Sequence, residues 1–248
     1  MSVLRRIATD LRQHHWTGVA IELLIVVLGV FIGLQAANWN EGRKDRALAR
    51  QYLERLREDL VLSAQAAQSN IDNMQEQSSR AAWMLGRLRE CRLDEGAEHA
   101  KFASALYIMG RLEPPTMVRG TIDELRSTGR IGIIGNVDLR KALSDVTQQQ
   151  ERNSEVLGFI AARRNAMLAY VDTRSTFPAL AEDGVAPPDV PVDVSFDFPA
   201  LCRDPTYINA VSHLGHAAGV VAGQHRRLLA QYQGMVATLD AELRKHPR

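Results

Sequence analysis

The sequence is short of the residues that carry chemistry. Of 248 residues only two are cysteines, Cys91 and Cys202, and no CxxC spacing is present, which excludes a zinc ribbon. There is no GxSxG, no HExxH and no glycine loop able to cradle phosphate. No enzyme activity, cofactor or metal is therefore expected. Charge of one sign is also lacking: 30 basic residues face 29 acidic ones, so no bulk field recruits nucleic acid or acidic substrates. Proline is absent from residues 43–92, and the only glycine there is Gly86, so nothing in that stretch breaks a helix.

Long hydrophobic runs are missing too, with one exception. IELLIVVLGVFIGLQAANWNE, residues 21–41, is far more apolar than the rest of the chain. Its apolar residues contribute roughly −3 to −7 kcal/mol of insertion free energy, against about 3 kcal/mol for Glu22 were it central, and less near an end. Trp16 and Trp39 bracket the run; at 1.5 Å per residue they stand roughly 35 Å apart, matching a hydrocarbon slab of about 30 Å with an aromatic at each interface. Cleavage as a signal peptide needs small residues at −3 and −1, and the sites around Ala36 and Ala37 put Leu34 or Gln35 at −3. The run is expected to be a retained transmembrane helix over residues 16–39.

Wound as a helix, Glu22, Val26, Gly29, Gly33 and Ala37 share one face. Gly29 and Gly33 form a GxxxG, a spacing that lets two helix backbones approach closely. Glu22 then has two readings: a polar contact shared with another helix, or an interfacial carboxylate wetted by headgroup water. The tail, residues 1–15, carries Arg5, Arg6 and Arg12 opposite Val3, Leu4, Ile7 and Leu11, an amphipathic segment for the cytoplasmic leaflet. Positive charge on the two flanks is close to a draw, but a long trailing domain translocates largely regardless of charge and the short basic tail is the natural cytoplasmic end, so residues 40–248 are expected outside the cytoplasm.

Beyond the span the pattern is helical. Leu53, Leu56, Leu60, Ser63, Ala67, Ile71, Met74, Ser78, Ala81, Leu85 and Leu88 recur in steps of three and four, the seam of a bundle or coiled coil. Its middle is thin, built from Ala, Ser and Gln. A second helix is expected from residue 99 to 111, stopping at Pro114 and Pro115. Thr121 with Glu124 reads as a capping box, Gly129 as the end of that short helix, and Asn136 as the cap of a long one reaching about residue 173. The last helix, residues 206–245, places Ile208, Val211, Leu214, Ala218, Val221, Leu228, Leu229, Tyr232, Met235 and Leu239 on a stripe. Between them, residues 176–205 concentrate six prolines in an irregular, Pro-rich loop. The expected fold is all-α: one transmembrane helix continuing into an up-and-down four-helix bundle.

Three smaller features complete the reading. His213 and His216 form an i, i+3 pair that could meet one ion, but no carboxylate or thiolate accompanies them, so a packing role is expected. Cys91 and Cys202 are candidates for a disulfide if the domain lies in an oxidising compartment. The helix-turn-helix look of residues 121–150 is discounted, because VDLRKALSDVTQQQ offers too few bases to read DNA.

The closing LQAANWNE of the span and the piece TIDELRSTGRIGIIGNVDLRKAL together resemble a bacterial family of single-span membrane proteins. That family has one N-terminal span ending in an LQxxNWNE-type motif, a recurrent Leu-(Lys/Arg)-Ser-(Ser/Thr)-Gly segment and a helical domain. The resemblance covers about a quarter of the chain and implies topology in the bacterial inner membrane, with no activity attached. The expected function is protein–protein assembly in the cell envelope, with the lipid bilayer and either a second copy or another membrane protein as partners. Two alternatives stand beside it: a ligand-sensing module that signals through a partner, and an ion-path subunit using Glu22.

Overall fold

The computed structural model describes residues 16–177 and 194–245, with side chains from residue 21 onward. The amphipathic tail and most of the Pro-rich loop lie outside these residues. The described residues are 84% helical with 2% strand, an all-α fold. Its elements are α1 (Trp16–Glu90), α2 (Ala97–Ile108), α3 (Gly120–Ser127), a 3₁₀ turn (Arg130–Ile133), α4 (Val137–Asp172), β1 (Ser175–Thr176), β2 (Ser195–Phe196), α5 (Phe198–Leu201) and α6 (Pro205–Lys245). Two compact units divide it near residue 52.

The first unit holds the apolar run. Among the described residues one helix is long and apolar enough to cross a membrane, and it is α1. Every large apolar side chain from Ile21 to Leu34 is between 47% and 64% exposed, so this band is buried against nothing among the described residues.

The second unit, from Leu53 onward, owns the core. Leu53, Leu56, Leu60, Ala67, Ile71, Met74, Ala81 and Leu88 are buried as expected, but Ser78 and Leu85 are only half-buried, and Gln77 and Met84 take the inner positions. From Met74 on, the stripe therefore steps 3-4-3-4 rather than 4-3-4-3, and Ser78 moves to its margin beside Gly219 of α6. Helix α6 runs antiparallel to α1: Arg57 bonds Asp240 near one end, Cys91 meets Cys202 at the other, and Ala81 meets Gly215 between them, nearer the disulfide. Helix α4 also packs along α6.

Local signals set the helix ends. The Asn136 side chain accepts from Leu139 N at 3.1 Å and starts α4 as expected. Gly129, at φ 69°, supplies the left-handed turn after α3. The Thr121 capping box does not form. Thr121 is buried inside α3, and its N–H is taken at 3.0 Å by Asp59 of α1, a cap lent by another helix. Helix α1 ends at Cys91, which sits at φ 47° where glycine is usual. Within the stretch expected to be irregular, β1 pairs antiparallel with β2, and Asp197 caps the single turn of α5.

Between α2 and α3 the chain, residues 111–119, has no regular structure, yet many of its backbone groups have partners. Asn70 of α1 donates to Pro114 O at 3.1 Å, Gln150 of α4 to Pro115 O at 3.1 Å, and Tyr232 of α6 to Thr116 O at 3.3 Å. Val118 N donates to Ser63 Oγ at 2.9 Å. The His225 ring meets Glu113 O at 3.0 Å, and because a carbonyl only accepts, Nε2 carries the proton. An extended segment has no helix to satisfy its amides, and three helices supply the partners instead. This explains why Ser63, Asn70 and His225 are buried in an otherwise apolar seam.

Candidate functional site

Two surfaces stand out. On α1, Glu22, Val26, Gly29, Gly33 and Ala37 are all exposed. A Cβ added at Gly29 or Gly33 would meet nothing within 4 Å, so the small-residue face is open to a second helix. Trp39 is 64% exposed, with the Arg43 guanidinium 6.0 Å from its ring centroid; Trp16 opens the helix.

The second surface is a half-open groove of about 420 Å³ between α4 and α6. It exists because α4 is apolar there without being covered: none of its residues between Asn153 and Val171 is buried, and Phe159 is 78% exposed. The antiparallel register sorts the lining. Toward one end Arg163 and Arg164 face His213 and His216; toward the other Phe159 and Ile160 face Ala217 and Val220. Arg164 is pinned to Gly110 O and Asn165, whereas Arg163 is exposed and pairs with no carboxylate among the described residues. Helix α4 carries no acid between Glu155 and Asp172, and α6 none before Asp240. The groove thus carries its arginines and histidines in one half, alongside Met167 and Leu214, is wholly apolar in the other half, and receives no negative charge from either helix. His213 and His216 fall on its wall, and among the described residues no three His, Cys, Asp or Glu side chains gather to hold a metal.

The end of the unit that carries the groove's cationic pole is knit firmly. Cys91 and Cys202 are joined, with Cα atoms 5.2 Å apart. Phe102 packs on Trp83, Phe196 and Phe198 around a core of Met84, Leu88, Leu106, Tyr207 and Val211. Asp204 caps α6, accepting from Thr206 N at 2.9 Å and Tyr207 N at 3.1 Å. The Tyr170 hydroxyl, donating at 2.7 Å, holds the Asp204 carboxyl below its ordinary range, aided by those backbone N–H groups and Arg174. Burial pushes the Tyr232 phenol up to about 12 and the His225 imidazole below its usual value, so both stay neutral inside the helices.

The sequence reading brought His213 and His216 to notice but not their neighbours on α4, and the groove went unseen. The available signal was the acid-free, apolar character of residues 156–171 beside Arg163 and Arg164. No protein-family model, curated protein or solved structure matches the chain.

Proposed function

We propose that this chain is a single-span protein of the bacterial inner membrane that works by binding itself or another envelope protein. Its helical domain is an up-and-down four-helix bundle on the extracytoplasmic side. The observation that carries the reading is the apolar band of α1, exposed along its whole length, with Gly29 and Gly33 open on one face. The bundle reading draws on the register of α1, α4 and α6, with α2, residues 111–119 and α3 as the returning leg. The outward placement draws on the Cys91–Cys202 bond, since such bonds persist in oxidising compartments. The likeness of LQAANWNE to the single-span bacterial family agrees with this topology.

The test is assembly in membranes. Gly29→Ile in the full-length protein is expected to abolish self-association or co-purification of a partner, because a branched side chain holds the backbones apart. Oligomers and partners unchanged by the substitution would remove the stripe as an interface. A protein whose two cysteines are fully reduced inside growing cells would reverse the orientation.

The groove between α4 and α6 favours a second reading, an extracytoplasmic sensing module whose ligand enters between helices and whose signal passes to a partner span.

A further inference from the structure

The groove's size, charge and polarity narrow its occupant to one chemical class. Its volume, about 420 Å³, lies toward the lower end of the roughly 300–1,000 Å³ of small-molecule sites. That suits a single chain of medium length and is too small for a two-tailed lipid. Its polar groups are arginine and imidazole nitrogens, with no side-chain oxygen among them. An occupant rich in peptide amides or sugar hydroxyls would find no side-chain acceptor beyond the imidazole nitrogens of His213 and His216, and each donor buried without one costs about 1–3 kcal/mol. A cation would meet Arg163 and Arg164 with no carboxylate from either helix to offset them. The separation of the charged end from the apolar end matches a molecule with one head and one tail.

We infer that the groove binds a free single-chain anionic amphiphile, a fatty-acid-like molecule. Its head lies on Arg163 with His213 or His216 opposite, and its tail lies along Phe159, Ile160 and Ala217. Arg163 is available for this because it has no carboxylate partner among the described residues, and a guanidinium offers paired donors to a carboxylate. Phe159, exposed on the rim, closes over the tail. The inference deepens the sensing reading and does not depend on the Gly29/Gly33 stripe.

The experiment is equilibrium binding of radiolabelled dodecanoate to the full-length protein in phosphatidylcholine nanodiscs. The expected result is saturable binding, one site per chain. Arg163→Glu should weaken it about tenfold or more, the loss of one charge-assisted hydrogen bond, with the melting temperature unchanged. Ala217→Trp should block it by filling the apolar end, and Phe159→Ala provides a second variant on an exposed position. Dodecyltrimethylammonium should fail to compete and dodecanol should compete poorly. Binding that does not saturate, that persists in both Arg163→Glu and Ala217→Trp, or that the cationic amphiphile displaces equally would overturn the proposal. Displacement by phosphatidylglycerol added to the nanodiscs would assign the groove to bilayer lipid and overturn the free amphiphile. Displacement by an acidic peptide with equal potency would overturn it in favour of a protein partner. Sensing fails separately: dodecanoate that binds without changing cross-links to a partner leaves the site standing and removes the signal.

Discussion

Helix α6 lies along two long helices, α1 and α4, and meets them on different terms. Against α1 it is close: a Cβ on Gly215 would stand 2.6 Å from the Cβ of Ala81, and one on Gly219 would stand 3.5 Å from Ser78 Oγ. That contact is tied at one end by the Arg57–Asp240 pair and at the other by the disulfide. Against α4, along which it also packs, it opens at one stretch into a groove of about 420 Å³, where close-packed cores leave few voids larger than a water. Both contacts are built from apolar and small residues, so composition does not distinguish them. The difference lies in side-chain size at the crossing and in what else is anchored there. Small residues face small residues where α1 meets α6, whereas at the groove Phe159, Met167 and two arginines line an opening between α4 and α6.

Breaking the tie at the end of the tight contact has the largest expected effect. Cys91 and Cys202 are 111 residues apart in sequence, and a loop of that length is worth up to about 4–5 kcal/mol in the chain-entropy picture. Cys91→Ser should lower stability to urea by up to that amount under oxidising conditions and by little in reductant. Equal stability of the variant and the oxidised parent would mean the bond constrains nothing.

The closeness itself comes next. Gly215→Ala places a methyl where Ala81 stands, and overpacking of this kind costs about 1–3 kcal/mol, offset by roughly 1 kcal/mol of helix propensity. A Cβ at Gly223, eight residues on in the same helix, would meet nothing within 4 Å. Gly223→Ala should therefore stabilise by up to about 1 kcal/mol. A urea midpoint that falls for the first and rises for the second confirms that α6 is pressed at one point and free at the other; the same sign for both would contradict it.

How far the sequence revealed this contrast can be read from particular residues. Periodicity located α1, α4 and α6 to within a few residues, because long helices free of internal proline leave the hydrophobic stripe little choice. Asn136 and Gly129 were legible since a cap and a left-handed turn are local demands met by local residues. Gln77 and Met84, rather than Ser78 and Leu85, took the inner positions because two stripes one residue apart satisfy the same spacing, and only packing against neighbours selects one. Asp59 capping α3 and the partners of residues 111–119 were illegible, being bonds between residues far apart in sequence. Their trace was present all the same: Ser63, Asn70 and His225 interrupt apolar stripes at positions a helix-on-helix contact would not choose. The groove escaped notice because it lies in no single helix.

The extended leg sharpens the comparison further, since it lies under α6 near His225, between the tight and the open contacts. The His225 imidazole is buried, its Nε2 is committed to Glu113 O, and Nδ1 has no partner. Charging it inside the helices is unfavourable, so its folded pKa lies below the ordinary 6.5. The unfolded chain then binds the extra proton first, and stability should decline as pH falls below 6.5 until the folded pKa is passed. His225→Gln retains a donor for Glu113 O and cannot titrate, so its urea midpoint should be flatter with pH over that window. An identical pH slope in the variant would assign the effect elsewhere. Asp204, depressed by Tyr170, acts lower: its contribution is present above its ordinary 3.8 and fades as pH drops beneath it.

The smallest expected effect is at Phe159, and it says most about the open contact. With 78% of its surface exposed, the ring contributes little to the folded state. Phe159→Ser should accordingly change stability by no more than about 0.5 kcal/mol, read as an unchanged melting temperature. A drop of several degrees would mean the ring is covered in solution and the groove is closed, and the contrast between the two faces of α6 would disappear. An unchanged value leaves a large aromatic at the rim of a cationic groove that stability does not require. Such a residue is free to contact an occupant without cost to the fold, as the binding proposal requires.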